Sequence, residues 1–447
     1  MKRFPCFAAV AAAVLNVAAF ERIALVDSFD FIEIFDCETK KGTDQIIDHV
    51  LETGADTVLW RNQTGGVVRF PSREENVLRL RSSVDKLRVN DERVFGWAAL
   101  EGGETNLLDY ALGSIRRRGK GCGLHYTFEE NHHAGFTYGE WNLRHPQYWS
   151  RSYGGNPLAS RCSFAYDEVL EHKMRILDEL LASDPETLYL EFWRNGAWTP
   201  GMEYVEPVLA RWRELYGDAP VPADCRDARW LKTTGFFMER YLRAIRARLD
   251  AHGKKVRFLA EITDLDLEDR AMWERFNVDW KRFAAEGLFD GLVVTHVRAS
   301  PRDAWNSTRR IYEYVMENRG KCDVYFHASM YDYRPGIPSY CKWTGETPAQ
   351  VAKRLCDLAK DVGGKGVILE CVDYRNYPPE VNEVLKAAGR ENREPFRPGK
   401  VTVRGEIGRR MESTAAHIRN DIDVDGEFVR HFRVRKEKPR GLPASGG

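Results

Sequence analysis

Apolar positions along this chain follow two periods in alternation. Short runs rich in β-branched and aromatic residues recur eight times, and each is followed by a stretch whose apolar residues return every three to four positions. That is the pattern of a strand leading into an amphipathic helix. It predicts strands at Phe31 to Asp36, Thr57 to Arg61, Gly121 to Glu129, Thr187 to Arg194, Val256 to Ile262, Gly291 to His296, Asp323 to Ala328 and Gly366 to Cys371. The helices are expected at Thr43 to Thr53, capped by Thr43, and at Asn106 to Arg118, Tyr166 to Ala182, Leu231 to His252, Val278 to Glu286, Arg302 to Asn318, Pro348 to Val362 and Pro379 to Ala388. A long loop separates the third strand from its helix. Eight such units between residues 31 and 388 fit a closed (β/α)8 TIM barrel better than a doubly wound sheet. The Rossmann alternative also lacks its chemistry, because no GxGxxG follows the first strand and no GxxxxGK[ST] occurs.

The two ends depart from this alternation. Met1-Lys2-Arg3 precedes an apolar, Ala-rich run from Phe4 to Ala19, which reads as a secretory signal cleaved near Ala19. The expected address is secreted or periplasmic. No later stretch approaches the ~18 apolar residues of a membrane-spanning helix. Residues 20–390 form the expected barrel. Beyond Arg390 a Pro-containing linker and one helical stretch, Ile407 to Asn420, are expected within a C-terminal extension of residues 391–447, a stump of a second domain or a cover for the barrel.

Composition narrows the partners. Lys plus Arg equals Asp plus Glu at 67 each, so no global positive field points to nucleic acid. Of nine cysteines, Cys6 falls in the leader and the other eight are scattered without a CxxC pair, which leaves zinc unsupported. One or two disulfides, for example Cys162 with Cys225, are compatible with export. His132 and His133, near His125 and Glu129, match no HExxH or HxH metal spacing, and the GxSxG elbow of serine hydrolases is missing. No cofactor is expected.

In a barrel the chemistry lies at the carboxyl ends of the strands, and strand alternation decides which side chains reach it. In strand four the alternation turns Tyr189, Glu191 and Trp193 inward. In strand five it does the same for Arg257, Leu259 and Glu261. Strand three adds His125 and Glu129, strand seven Tyr325 and His327, strand eight Glu370. Unpaired buried carboxylates cost several kcal/mol, so a cluster of them needs a reason. One reason is acid/base catalysis, in which two carboxyl groups ~5 to 9 Å apart flank a glycosidic bond. The other is ion pairing, with Arg61, Arg194 and Arg257 as candidate neutralising partners.

Six of the twelve tryptophans, Trp60, Trp141, Trp149, Trp193, Trp198 and Trp343, fall at or just after expected strand ends. Rings placed there can stack on pyranose faces, although each singly can also pack a loop. His296 and His327 are candidates for hydroxyl binding or for satisfied core positions.

The stretches LYLEFWRNGAW (Leu188 to Trp198), HPQYW (His145 to Trp149), VDWKRFAAEGLFDGLVV (Val278 to Val294) and GGKGVILE (Gly363 to Glu370) resemble the family 10 glycosyl-hydrolase-like barrel proteins over residues 25 to 390. The resemblance implies a (β/α)8 fold, hydrolysis of O-glycosidic bonds in polysaccharides, and functional carboxylates at strand ends. Residue by residue it points to Glu191 with Arg194 beside it. Relatives often carry Asp at the position of Glu191, and strand seven ends His327-Ala328-Ser329 without a carboxylate nucleophile, so that assignment stays open. Residues 405–435 resemble the opening of helical β-L-arabinofuranosidase-like domains, in truncated form.

These features converge on a glycoside hydrolase with Glu191 and Glu261 as its catalytic pair and Glu370 as substitute for either. Trp60, Arg61, His125, Glu129, Trp149, Trp193, Arg194, Trp198, His296 and His327 are the candidate substrate-binding residues, and a carbohydrate is the expected partner. A non-catalytic glycan-binding barrel with an aromatic cleft is the alternative, and a secreted esterase or lyase the third reading.

Overall fold

The computed structural model describes residues 20–27, 31, 35, 39–64, 67–68, 70–74, 107–127, 140–192, 200–263, 265, 278–295, 297–329, 340–370 and 377–390. Eight parallel strands close on themselves: β1 (Glu21–Val26), β2 (Thr57–Arg61), β3 (Gly121–Thr127), β4 (Thr187–Glu191), β5 (Arg257–Thr263), β6 (Gly291–Thr295), β7 (Asp323–Ser329) and β8 (Gly366–Glu370). Each strand pairs with its neighbours in sequence, and β8 closes onto β1 through Glu21↔Gly366. Eight helices alternate with them: α1 (Lys40–Leu51), α2 (Leu107–Arg117), α3 (Asp167–Leu181), α4 (Ala228–Ala251), α5 (Trp280–Glu286), α6 (Ala304–Asn318), α7 (Pro348–Asp361) and α8 (Pro379–Arg390). The architecture is the (β/α)8 barrel.

Local chemistry accounts for the helix starts. Thr347 and Gln350 form a reciprocal capping box with Pro348 at the first helical position, which satisfies amide donors that α7 would otherwise leave open. At α1 the cap is Thr39, whose hydroxyl accepts from the Gly42 amide at 3.0 Å. Thr43, expected in that role, lies one turn inside the helix and is buried.

The first strand is displaced from its expected position. ERIALV (Glu21–Val26) takes the place in the barrel that the alternation of FIEIFD suggested for residues 31–36. Phe31 and Phe35 instead sit one helical turn apart, the Phe35 amide donating to the Phe31 carbonyl at 2.9 Å and both rings packing on His49. Short apolar runs are ambiguous in period, and only strand pairing on both sides decides which run enters the sheet.

The core has two layers. Inward-facing Ile23, Leu25, Leu59, Tyr189, Leu259, Val293, Tyr325 and Ile368 fill the barrel. Their outward-facing alternates, among them Leu188, Leu190, Phe258, Ala260 and Leu292, pack with the apolar stripes of the helices. This alternation is the sheet's period of two. Close approach of the strands demands glycine at Gly123, where a Cβ would lie 2.2 Å from the Thr187 carbonyl oxygen.

The amino-terminal end of the barrel is closed by a polar plug. Arg257 reaches Glu21 through two nitrogens at 3.0 Å each, while Tyr325 and Thr57 donate hydroxyls to the same carboxylate at 2.7 and 2.8 Å. Burial opposes the charge on Glu21, yet Arg257, Tyr325 and Thr57 together outweigh it and hold this carboxyl below the usual range. Arg257, one of three candidate ion-pair partners for the inward carboxylates, therefore serves the opposite end of the barrel. Its place at the start of β5 puts it two inward positions away from Glu261.

Two elaborations carry no strong signal in the hydrophobic pattern. After β3 the chain makes an antiparallel ribbon, Trp149–Arg151 against Pro157–Cys162, and after β4 it adds a helix, Glu206–Tyr216. Cys162, suggested as a disulfide partner of Cys225, is a buried free thiol directed at the His145 carbonyl, and Cys225 is also free. Among the described residues no helix is long and apolar enough to cross a membrane. Residues 391–447 lie outside the described residues.

Candidate active site

Inward polar side chains from all eight strands gather at a single rim. One taken from each, in barrel order, gives Asp27 just after β1, Arg61, His125, Glu191, Glu261, Thr295, His327 and Glu370. All eight are buried, with Glu191 and Glu261 each 1% exposed. Alternation produces this set: Leu59, Tyr189, Leu259, Val293 and Ile368 occupy the inner apolar layer, and the residue two further along each strand reaches the rim.

Contacts divide the rim into three groups. Arg61 Nη1 lies 3.0 Å from Asp27 Oδ2, and its Nη2 lies 3.5 Å from Glu191 Oε2. The same Glu191 oxygen is 3.0 Å from His125 Nε2, and the His125 ring rests on Tyr189 with centroids 5.3 Å apart. A buried guanidinium needs an anionic partner, and Asp27, at the shorter distance, supplies one. Across the barrel, His327 Nε2 and Glu370 Oε2 form a second imidazole–carboxylate pair at 3.0 Å.

Glu261 is held differently. The Phe192 amide donates to Oε2, and Thr295 Oγ1 donates to Oε1 at 2.5 Å. Hydrogen bonds of this kind favour the ionised carboxylate. The register Leu190↔Ala260 places Glu191 and Glu261 side by side on adjacent strands, one position further on.

The loops flanking β3 and β4 are tied together beneath the surface. Arg161 of the ribbon donates to Glu203 Oε1 at 2.7 Å and to Ser150 Oγ at 2.9 Å, and Ser163 Oγ donates to Glu203 Oε2 at 2.5 Å. Burial pushes the Glu203 carboxyl up, against the opposing pull of Arg161.

The residues expected from sequence fall out unevenly. Glu191, Glu261, Glu370, Arg61, His125 and His327 meet in the rim. Trp60, expected among the rim aromatics, alternates outward from Leu59 and Arg61 and is buried between sheet and helices. Trp149 is half-buried, its indole N–H donating to the Asn142 carbonyl at 2.7 Å. Trp141 is stacked between the rings of His145 and His172, at 4.1 and 4.2 Å, and Trp343 packs on Tyr340. Glu129, Trp193, Arg194, Trp198 and His296 lie outside the described residues. Asp27 and Thr295 were missed. The run IALVD (Ile23 to Asp27) carries the signal for Asp27, an acid placed two positions beyond an inward leucine, but it lies close behind the apolar run of residues 4–19.

No protein-family model matches the chain, and no curated protein matches its sequence. Solved structures do match. A β-galactosidase from the psychrophilic Marinomonas ef1 gives a TM-score of 0.51 at 10% identity, covering 83% of this chain and 59% of that one. A putative α-L-fucosidase from Bacteroides thetaiotaomicron VPI-5482 gives 0.43 at 9% identity over 84% and 94% of the two chains. The pneumococcal virulence factor StrH, solved in work on N-glycan recognition and hydrolysis, gives 0.45 at 12% identity over 93% and 92%. At 10% identity the likeness to the galactosidase is one of fold. The chain spans less than two thirds of the galactosidase.

Proposed function

We propose that this chain is a glycoside hydrolase that cleaves an O-glycosidic bond of an oligo- or polysaccharide with Glu191 and Glu261 as its carboxylate pair. The observation that supports it is the placement of two buried carboxylates on adjacent strands at the catalytic end of a barrel, each in a different environment. Divergent environments separate acid from base. Glu261, bonded by an amide and a hydroxyl, is the ionised member and acts as nucleophile or as base toward water. Glu191, in contact with the imidazole of His125, is the proton donor to the leaving oxygen. Glu370 with His327 faces them across the mouth and binds sugar hydroxyls. The N-terminal segment directs export, with Phe20 as the first residue of the mature chain.

The test is turnover of a panel of aryl glycosides and plant and bacterial polysaccharides by wild type, Glu191→Gln and Glu261→Gln, with binding measured in parallel by calorimetry. Loss of an acid or base costs about 10²–10⁴ in rate. Glu261→Gln should lose turnover on every substrate. Glu191→Gln should be spared on dinitrophenyl glycosides, whose leaving group needs no proton. Wild-type rates in both variants would refute the pair. Glycan binding by wild type without any hydrolysis would favour a binding barrel.

A further inference from the structure

The rim contains an acid that the catalytic pair does not use. Asp27, 8% exposed, sits behind Arg61, which is 1% exposed and is the charged link between Asp27 and Glu191. The guanidinium is 3.0 Å from Asp27 but 3.5 Å from Glu191, so the shorter contact belongs to the acid with no assigned role. We propose that Asp27 is a positioning residue for Glu191: by engaging Arg61 it keeps the guanidinium from clasping Glu191 and so leaves that carboxyl able to carry a proton. The inference rests on the reading of Glu191 as proton donor.

The physical reason is competition for one cation. An arginine in full contact with a carboxylate holds it ionised, lowering its titration midpoint by about 1–3 units, which would disable an acid catalyst at neutral pH. A second carboxylate on the same guanidinium divides that attraction and adds its own negative field. Among the described residues, the titratable or charged groups sharing the mouth with Glu191 are Asp27, Arg61, His125, Glu261, His327 and Glu370. His125 touches the same Glu191 oxygen as Arg61, and Glu261 stands on the neighbouring strand. Asp27 meets this set at Arg61.

Carboxyl NMR of glutamate-labelled full-length protein tests the idea without a substrate, the Glu191 signal being identified by its loss in Glu191→Gln. Asp27→Asn should lower the Glu191 midpoint by about one unit, and Asp27→Glu should restore it. Asp27→Ser, also neutral, is measured beside them so that a folding defect in one variant leaves the comparison intact. In an Arg61→Gln background, Asp27→Asn should lose most of its effect, because the route through the guanidinium is gone. An unchanged or raised midpoint in both neutral variants overturns the proposal. A lowered midpoint together with full activity of Glu191→Gln would instead refute the underlying assignment of the acid.

Discussion

Replacing Glu21 by Gln tests the polar plug at the floor of the barrel. The substitution keeps the shape of the side chain but removes its charge, leaving Arg257 without the anion it meets at 3.0 Å through two nitrogens. Removing one member of a fully buried pair costs about 3–5 kcal/mol. Here the side chains of Glu21 and Arg257 are 15% and 31% exposed, so water recovers part of the loss and about 2 kcal/mol is expected. Urea unfolding of wild type and variant, followed by fluorescence and circular dichroism, measures the difference. Its pH dependence has a definite sign. The folded-state midpoint of Glu21 lies below its ordinary value of 4.5, so its stabilisation is complete above 4.5 and is lost as pH falls through the folded value. The gap between the proteins should therefore be full at pH 7 and shrink on acidification below 4.5. Equal stability at pH 7, or a gap that persists undiminished in acid, would contradict the reasoning.

Two further substitutions probe the scaffold. Gly123→Ala places a methyl group 2.2 Å from the backbone oxygen of Thr187, so β3 and β4 must separate; a loss of about 3 kcal/mol, or insoluble expression, is expected in thermal unfolding of the purified protein. Arg161→Met strands the buried Glu203 carboxyl and should cost about 3 kcal/mol at neutral pH, whereas the double variant Arg161→Met/Glu203→Leu should regain most of it. A double variant no better than the single one would mean that the pair fixes the loops through its geometry.

Much of the barrel was legible in the sequence because each βα unit states its period locally. Strands β2 to β8 lie within a few residues of the runs that announced them, and the parity argument for Glu191 and Glu261 needed only alternation along a single strand. The same rule, applied to TVLWR, turns Trp60 outward once Leu59 is seen to fill the interior, but sequence alone offered no anchor for that phase. The first strand escaped because ERIALV follows directly on the apolar run of residues 4–19 while FIEIFD alternates as a strand does.

Local pattern thus determined the kind of element at most positions and which side chains shared a face. Partner choice was left to the closed sheet. Arg257 and Arg61 are both inward arginines on barrel strands, yet one sits at the start of its strand and pairs with Glu21, while the other sits at the end of its strand and bridges Asp27 and Glu191. Arg257 and Glu21 are 236 positions apart in the chain, and Arg61 and Asp27 are 34 apart. Their meeting depends on the register in which eight strands close, and register is a property of the whole barrel rather than of any segment.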